Sequence, residues 1–214
     1  MIRTVVFGKS SLACRIATYF LESEDHELVG VVPSPRTSPV FASLADLAVE
    51  HGVRVLDLAE VDAELRIDLG FSCFFSEIFR RHHIDAMGRL VNLHNAPLPR
   101  YRGMRPINWA LKNGESMHGV TIHEIDEGVD TGAIITQCTF PVLPGDEVID
   151  LYLRSQRFGW DLFLETAPRL LELPAVPQDD AEALTYQGKD SEALGDRQGF
   201  TRAEGGGATV PGLL

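Results

Sequence analysis

Short apolar runs alternate with helical patterns in the first part of the chain, and this alternation constrains the fold more than any other feature. Four runs rich in β-branched residues predict strands, at residues 2–7, 28–32, 53–56 and 67–71. Apolar residues at helical spacing predict helices at residues 12–21 and 43–51, the second with Ser43 as N-cap. Because such repeats place helices over a parallel sheet, we expect an α/β, Rossmann-like, mostly parallel sheet with helices on both faces.

The second half of the chain predicts an antiparallel excursion from this sheet. Residues 106–113 indicate a helix with proline in its first turn and glycine after its last. Residues 117–125 and 133–140 alternate as strands on either side of a glycine-containing loop, which is typical of a hairpin. A long amphipathic helix is expected over residues 146–173.

The helical periodicity is lost after residue 173. We therefore predict a catalytic domain over residues 1–173 and a C-terminal extension over residues 174–214. Residues 184–187 predict a short strand within this extension. The glycine-rich residues 204–212 predict a flexible tail.

Two polar side chains, Asn92 and His94, stand at positions i and i+2 of a short apolar run. Successive strand residues point to opposite faces, so this spacing places both side chains on one face. Pro97 and Pro99 remove two backbone donors and fix two φ angles, which makes a stiff exit that lasts until Gly103. The pair is therefore expected at the carboxyl end of a strand, where α/β folds hold their sites.

Three motifs in a fixed order resemble the folate-dependent formyltransferases. They are Asn92-Leu93-His94, then Leu98-Pro99-Arg100-Tyr101-Arg102-Gly103, then Asp126-Glu127-Gly128-Val129-Asp130-Thr131-Gly132. Residues 68–137 as a whole are similar to that family, which includes the catalytic domain of methionyl-tRNA formyltransferase and sugar and amino-acid N-formyltransferases. The resemblance implies 10-formyltetrahydrofolate as cosubstrate, no metal, and Asn92, His94 and Asp130 as the catalytic residues.

These three residue types suit formyl transfer to an amine. The reaction needs a donor to the oxygen that becomes negative, a base for the amine proton and an acid for the leaving nitrogen. Asn92 offers an amide N–H, an imidazole such as that of His94 can take up and release a proton, and a carboxylate such as Asp130 stabilises a charged imidazole. Each residue alone is readily explained as a loop or turn contact, but the ordered set favours catalysis.

The resemblance also implies where the folate binds. The implied contacts are two loops, one with Phe74, Phe75, Ser76, Glu77 and Ile78 and one with Ile125, Gly128 and Val129. The pterin is expected between them, with the formyl carbon over Asn92 and His94. Backbone groups and apolar side chains are sufficient to hold such a ring. The alternative is that Phe74, Phe75 and Phe79 are ordinary core residues.

Two further groups of residues are candidate contacts for the acceptor. Gly8, Lys9, Ser10 and Ser11 lie between the first strand and the first helix, where doubly wound folds bind phosphate. The turn has neither a Walker A nor a G-x-G-x-x-G pattern, and a helix N-cap by Ser10 or Ser11 is the favoured interpretation.

Arg102 and Arg105 are candidates to meet a phosphate or carboxylate of the acceptor, although loop arginines in an acidic protein are usually solvated. His123, in the strand predicted at residues 117–125, is expected on the surface of the sheet rather than in the site.

The excess of acidic over basic residues restricts the kinds of molecule that this protein is expected to bind. The chain has 19 basic and 31 acidic residues and a net charge of −12, which repels nucleic acids and anionic membranes. We therefore expect a small-molecule amine as partner, with no nucleic acid and no membrane. The 3 cysteines have neither C-x-x-C nor zinc-site spacing, which is typical of a reducing compartment. Because the N-terminal apolar run is also too short for a signal peptide, we expect a cytoplasmic protein.

The favoured function is an N-formyltransferase whose acceptor is a nucleotide-linked amino sugar or an amino-acid-type amine. Glycinamide ribonucleotide formyltransferase and formyltetrahydrofolate hydrolase are the alternatives within the family. We expect no room for the C-terminal tRNA-binding domain of methionyl-tRNA formyltransferases or for the N-terminal regulatory domain usual in the hydrolases. A Rossmann-like nucleotide-binding sensor is the non-enzymatic alternative, and the missing glycine fingerprint counts against it. The oligomeric state stays open.

We predict that the protein does not bind tRNA tightly, because its net charge of −12 opposes the phosphate backbone. A gel-shift titration with initiator tRNA at low salt measures this binding. A clear shift that weakens as salt is added would show that a local basic patch outweighs the global charge.

Overall fold

The computed structural model describes residues 1–35 and 43–198. These residues fall into two compact units, the first formed by the described parts of Met1–Leu93 with Glu124–Glu127, and the second by residues 94–123 and 128–198. The tail predicted at residues 204–212 lies outside the described residues. Within the described ranges, no helix has both the length and the hydrophobicity needed to cross a membrane.

The first unit is built on four parallel strands in the spatial order β2-β1-β3-β4. The strands are β1 (Ile2–Gly8), β2 (His26–Pro33), β3 (Ile67–Cys73) and β4 (Met87–His94). They are connected by the helices α1 (Ser11–Glu22), α2 (Leu44–His51) and α3 (Arg81–Asp85) and by the 3-10 turns Leu58–Glu60 and Ala63–Leu65. Gly8 pairs with Cys73, and Cys73 pairs with Leu93. The carboxyl ends of β1, β3 and β4 therefore lie side by side.

The strand predicted at residues 53–56 is reduced to a single bridge, in which Val55 pairs in parallel with Val31. The run ends there because Asp57 begins a capped 3-10 turn, in which its N–H donates to the Glu60 carboxylate at 2.7 Å. The predicted strand was too long, because the prediction rested on the two β-branched valines and did not take into account the cap that follows them.

The second unit is organised around an antiparallel hairpin. Its strands, β6 (Met117–Glu124) and β7 (Ile134–Pro141), pair with Val120 opposite Cys138. The helix α4 (Pro106–Lys112) precedes the hairpin, and α5 (Val148–Thr166) follows it. Two short strands, β5 (Arg102–Gly103) and β8 (Thr185–Tyr186), pair in parallel. The predicted α/β class, a mostly parallel sheet with an antiparallel excursion, is confirmed.

The long helix ends earlier than predicted. α5 stops at Thr166, and a 3-10 turn, Ala167–Arg169, follows it. Pro168 has no N–H, and its ring would clash with the carbonyl four residues earlier, so α-helical hydrogen bonding does not continue through it. The prediction of a helix to residue 173 was wrong because it ignored this proline.

Residues after 173 supply part of the core of the second unit. The ring of Tyr186 stacks on Trp109, with centroids 4.1 Å apart, and on Tyr101, with centroids 5.8 Å apart. Leu184 and Leu194 belong to the same cluster. Each stacked aromatic pair contributes about 1 kcal/mol beyond the area it buries. The domain boundary at residue 173 stays a prediction, but the segment that follows it packs on residues that precede it.

His118 lies on β6 and is 0% exposed. Its Nε2–H donates to the Asn95 carbonyl at 2.8 Å, and its Nδ1 has no hydrogen-bond partner among the described residues. The pKa of His118 is lowered to about 4, chiefly by burial; the Asn95 carbonyl and Glu115 oppose the shift, and His94 adds to it. The folded protein therefore holds this imidazole neutral well below the pH at which an exposed histidine is protonated.

We predict that His118 makes the stability fall as the pH drops below about 6.5, the value for an unperturbed histidine. The unfolded chain binds a proton there below that pH, whereas the folded chain does not until about pH 4. Between the two values the free energy of unfolding loses up to about 1.4 kcal/mol per pH unit. Urea unfolding of the wild type and of His118→Phe across this range tests the prediction, and equal slopes in the two proteins would contradict it.

Candidate active site

The ring of His94, at the end of β4, is held by a backbone carbonyl. His94 is 6% exposed, and its Nε2 lies 2.8 Å from the Tyr101 carbonyl oxygen. Because a carbonyl oxygen only accepts, Nε2 carries the proton and donates. Nδ1 is therefore the nitrogen of this ring that can exchange a proton.

The loop that supplies this carbonyl is well anchored. Tyr101 adopts a left-handed conformation with φ of 63°. Its hydroxyl donates to Glu115 Oε1 at 2.5 Å and accepts from Asn113 Nδ2 at 3.1 Å. Gly103, two residues later, has φ of 88°, and a Cβ there would lie 2.1 Å from the Tyr186 carbonyl oxygen. This close approach between β5 and β8 therefore requires glycine.

Asp130 lies between two imidazoles in the second unit. Its Oδ2 is 3.5 Å from His94 Nδ1, and its Oδ1 is 3.6 Å from His123 Nε2. Oδ2 also accepts the Gly103 N–H at 2.8 Å. The structure thus brings together two of the three residues predicted to be catalytic, and it adds a second histidine to them.

His123 is not on the surface, and that prediction was wrong. It is 2% exposed, and its ring centroid lies 6.3 Å from that of His94. The antiparallel register shifts between Ile122 and His123, and such an irregularity re-aims a side chain at the end of a strand. Alternation along β6 alone does not reveal that this position is covered and faces Asp130.

Asn92 is oriented by the neighbouring strand of the first unit. Ser72 of β3 pairs with Asn92 in the register of the sheet, and the Ser72 hydroxyl donates to Asn92 Oδ1 at 2.9 Å. Ser72 is 2% exposed. Because Oδ1 accepts this bond, Nδ2 is the end of the amide that presents donors.

The loop predicted to bind the pterin joins a hydrophobic cluster in the first unit. Phe75 packs edge-on against Phe7, with ring centroids 5.7 Å apart, and Phe79 does the same at 5.0 Å. Ile125 also packs on this cluster, and its N–H donates to the Leu90 carbonyl at 3.0 Å. The alternative of ordinary core thus describes Phe79, which is 8% exposed. The folate contacts themselves stay predictions.

The turn after β1 caps a helix, as favoured from the sequence. Ser10 is the N-cap of α1, and its hydroxyl accepts the Ala13 N–H at 3.4 Å. Gly8 has φ of 148°, and a Cβ there would lie 2.0 Å from the Cys73 carbonyl oxygen, so β1 and β3 approach too closely for any side chain. Contact between the turn Gly8–Ser11 and an acceptor stays a prediction.

Arg102 is buried rather than solvated, so the alternative considered for it was wrong. It is 6% exposed; its Nε–H donates to Gln178 Oε1 at 2.9 Å, and its terminal nitrogen donates to Asp180 Oδ1 at 2.9 Å. Arg105 precedes α4 in a left-handed conformation with φ of 58°. Acceptor binding by either arginine stays a prediction.

Gln178 also lies beside Asp130, although it is not among the residues predicted from the sequence. Its Nε2 donates to the carbonyls of Asp130 and Gly132, at 2.8 and 2.7 Å. The residue lies in the segment without periodicity and 48 positions after Asp130, so no local pattern pointed to it. Within residues 1–35 and 43–198, no cluster of three or more His, Cys, Asp or Glu side chains is arranged to hold a metal ion.

A family model described as formyl transferase matches residues 15–167, more than half of the chain. The chain belongs to the formyl transferase family. The resemblance drawn from the three motifs is thereby confirmed.

Curated relatives include the methionyl-tRNA formyltransferase of Streptococcus pyogenes, which is 28% identical over 203 residues. That match covers 86% of this chain and 64% of the relative, so the chain spans less than two thirds of the relative's length.

Solved structures of the family share the fold. An N-formyltransferase from Helicobacter canadensis, in complex with folinic acid and dTDP-3-aminofucose, is 29% identical with a TM-score of 0.80, over 89% of this chain and 72% of that one. A sugar 3N-formyl transferase, solved in the presence of dTDP and 5-N-formyl-THF, is 27% identical with a TM-score of 0.79, over 89% of this chain and 71% of that one.

Proposed function

We propose that this protein transfers the formyl group of 10-formyltetrahydrofolate to the primary amine of a small metabolite. The observation that carries the proposal is the contact of 3.5 Å between Nδ1 of the buried His94 and Asp130 Oδ2, with Nε2 of the same ring held by Tyr101. Both residues stand at positions that the family resemblance makes catalytic. Asn92 stands two residues before His94 on the same strand, with its amide oriented by Ser72.

In the proposed reaction the amine nitrogen attacks the formyl carbon, and the formyl oxygen becomes negative as the new C–N bond forms. Asn92 Nδ2–H and protonated His94 Nδ1–H donate to that oxygen. Asp130 accepts the proton that the amine loses, and His94 gives its Nδ1 proton to the folate N10 as the bond from N10 to the formyl carbon breaks. The proton then passes from Asp130 to His94 across their contact, so both residues end as they began.

Folate is the proposed donor because both solved relatives described above were crystallised with a folate. The proposed contacts are the loop at residues 74–78 and the residues Ile125, Gly128 and Val129. The side chains of Ile78 and Val129 are 74% and 55% exposed. Each of these apolar side chains is therefore open to contact with a bound ligand.

A nucleotide-linked amino sugar is the favoured acceptor. The Helicobacter canadensis relative was solved with dTDP-3-aminofucose, and the net charge of −12 disfavours a tRNA acceptor. An amino-acid-type amine and glycinamide ribonucleotide remain alternatives. Methionyl-tRNA is the competing macromolecular acceptor, favoured by the 28% identity to the Streptococcus pyogenes enzyme.

Incubation with 10-formyltetrahydrofolate and one amine at a time tests the function. The probes are dTDP-3-aminofucose, glycinamide ribonucleotide and methionyl-tRNA, and mass spectrometry detects a formyl group on each. We expect the amino sugar to be formylated. Release of formate without a formylated amine would instead identify a hydrolase, and a donor that keeps its formyl group in every reaction would contradict the proposal.

We predict that Asn92→Ala, His94→Ala and Asp130→Ala each lower kcat by about 10²-fold or more, because these groups act on charge that develops in the intermediate. The affinity for folate should stay within a few-fold of wild type. Steady-state kinetics measures both quantities. His51→Ala, which removes an exposed imidazole at the end of α2, is the control and should behave as wild type. Activity near wild type in His94→Ala would contradict the assignment.

We predict that Ser72→Ala lowers kcat about fivefold, because the Asn92 amide then loses the bond that fixes its orientation, a loss of about 1 kcal/mol. Ser116→Ala makes the same chemical change at an exposed position and serves as the matched control. Full activity in Ser72→Ala, with the thermal stability of wild type, would show that Asn92 is oriented by other contacts.

A further inference from the structure

The side-chain amide of Gln178 is fully hydrogen-bonded beside the loop that carries Asp130. Its Nε2 donates to the Asp130 carbonyl at 2.8 Å and to the Gly132 carbonyl at 2.7 Å, and its Oε1 accepts from Arg102 Nε at 2.9 Å. Both N–H groups and the oxygen therefore have partners, so the amide has one orientation. All of these residues belong to the second unit.

Arg102 of β5 connects this strand to the same loop, because it binds Gln178. Its guanidinium is 6% exposed and also donates to Asp180 Oδ1 at 2.9 Å, so a buried charge is balanced. The next residue, Gly103, donates its N–H to the Asp130 carboxylate at 2.8 Å. Asp130 is thus held at two points. Its carbonyl accepts from Gln178, which in turn binds Arg102, and its carboxylate accepts from the N–H of Gly103.

Asp130 needs such support, because its backbone is strained. It has φ of 53°, in the left-handed region that residues with a Cβ rarely adopt. In this conformation its side chain faces His94 and His123, at contacts of 3.5 and 3.6 Å. Without the amide of Gln178, the peptide between Asp130 and Gly132 can relax, and the carboxylate would move away from the imidazole.

We infer that Gln178, held by Arg102, is a positioning residue that fixes Asp130 against His94. This inference rests on the proposed function, because it gives Gln178 a role through the catalytic Asp130. It brings the segment after residue 173 into the site, although that segment carries no group that reacts. If the segment after residue 173 only stabilised the fold, a change at Gln178 would have no specific effect on the Asp130 carboxylate.

Gln178→Glu is the sharpest variant, because it keeps the size of the side chain and an oxygen for Arg102, and it replaces the N–H donors by an oxygen that faces two carbonyls. Gln187→Glu makes the same chemical change at an exposed position of the same segment and is the matched control. Gln178→Leu is the second variant, since it removes all three hydrogen bonds without adding charge.

The first measurement does not depend on activity. Amide hydrogen exchange by NMR compares the Gly103 N–H, which donates to the Asp130 carboxylate, with the Met104 N–H, which donates to the Tyr186 carbonyl at 2.9 Å. We expect both Gln178 variants to speed the exchange of Gly103 by about tenfold, and that of Met104 by less than about twofold. Equal acceleration at the two amides, or none at Gly103, would overturn the inference, because the first result shows general loosening of the segment and the second shows an undisturbed carboxylate.

The second measurement is kinetic, with 10-formyltetrahydrofolate and dTDP-3-aminofucose as probes. We expect Gln178→Glu and Gln178→Leu to lower kcat about tenfold with KM for both substrates within a few-fold, and Gln187→Glu to match wild type. A rise in KM with unchanged kcat would overturn the positioning role. If the wild-type protein formylates no amine while the exchange of Gly103 responds as expected, the proposed function fails and the fixing of Asp130 by Gln178 stands.

Discussion

The hydrogen bond from His94 Nε2–H to the Tyr101 carbonyl is the interaction on which the chemistry of the site depends. At 2.8 Å it holds a proton on Nε2, so proton exchange is confined to Nδ1, the nitrogen that faces Asp130. The carbonyl points there because Tyr101 has φ of 63°, a conformation that costs about 1–3 kcal/mol and persists only where the surroundings enforce it. The bond from its hydroxyl to Glu115 and the stacking on Tyr186 supply that enforcement.

The position of Asp130 depends on local polar contacts rather than on surface charge. Its carboxylate accepts from Gly103 and faces His94 and His123. A buried polar group that loses its partner costs about 1–3 kcal/mol. By contrast, the ion pair between Arg81 and Asp85, whose side chains are 69% and 56% exposed, contributes little because water and salt screen it. The acidic surface therefore has little effect on the geometry of the site, which is set mainly by the contacts of the loop that carries Asp130.

Sequence patterns predicted the parts of this protein that depend on local spacing. The parallel strands follow from apolar runs, and the place of His94 at the end of a strand follows from the two prolines after it. Pro168 is an equally local signal, and the end of α5 was predicted wrongly because this proline was not taken into account. The burial of His123 depends on a register shift across two strands, and the contact of Gln178 with Asp130 joins residues 48 positions apart. Such contacts are set by tertiary packing, which single-sequence periodicity does not contain.

In the proposed reaction His94 works through Nδ1, with Nε2 protonated and bound to the Tyr101 carbonyl. The most direct test is a nitrogen-15 NMR measurement of the histidine rings at a pH where His94 is neutral, assigned by comparison with His94→Gln. We expect the neutral ring to carry its proton on Nε2, and we expect Nδ1 to be the nitrogen whose chemical shift changes on protonation. A neutral His94 with its proton on Nδ1 would contradict this role, because the Tyr101 carbonyl would then face a nitrogen with no proton to donate.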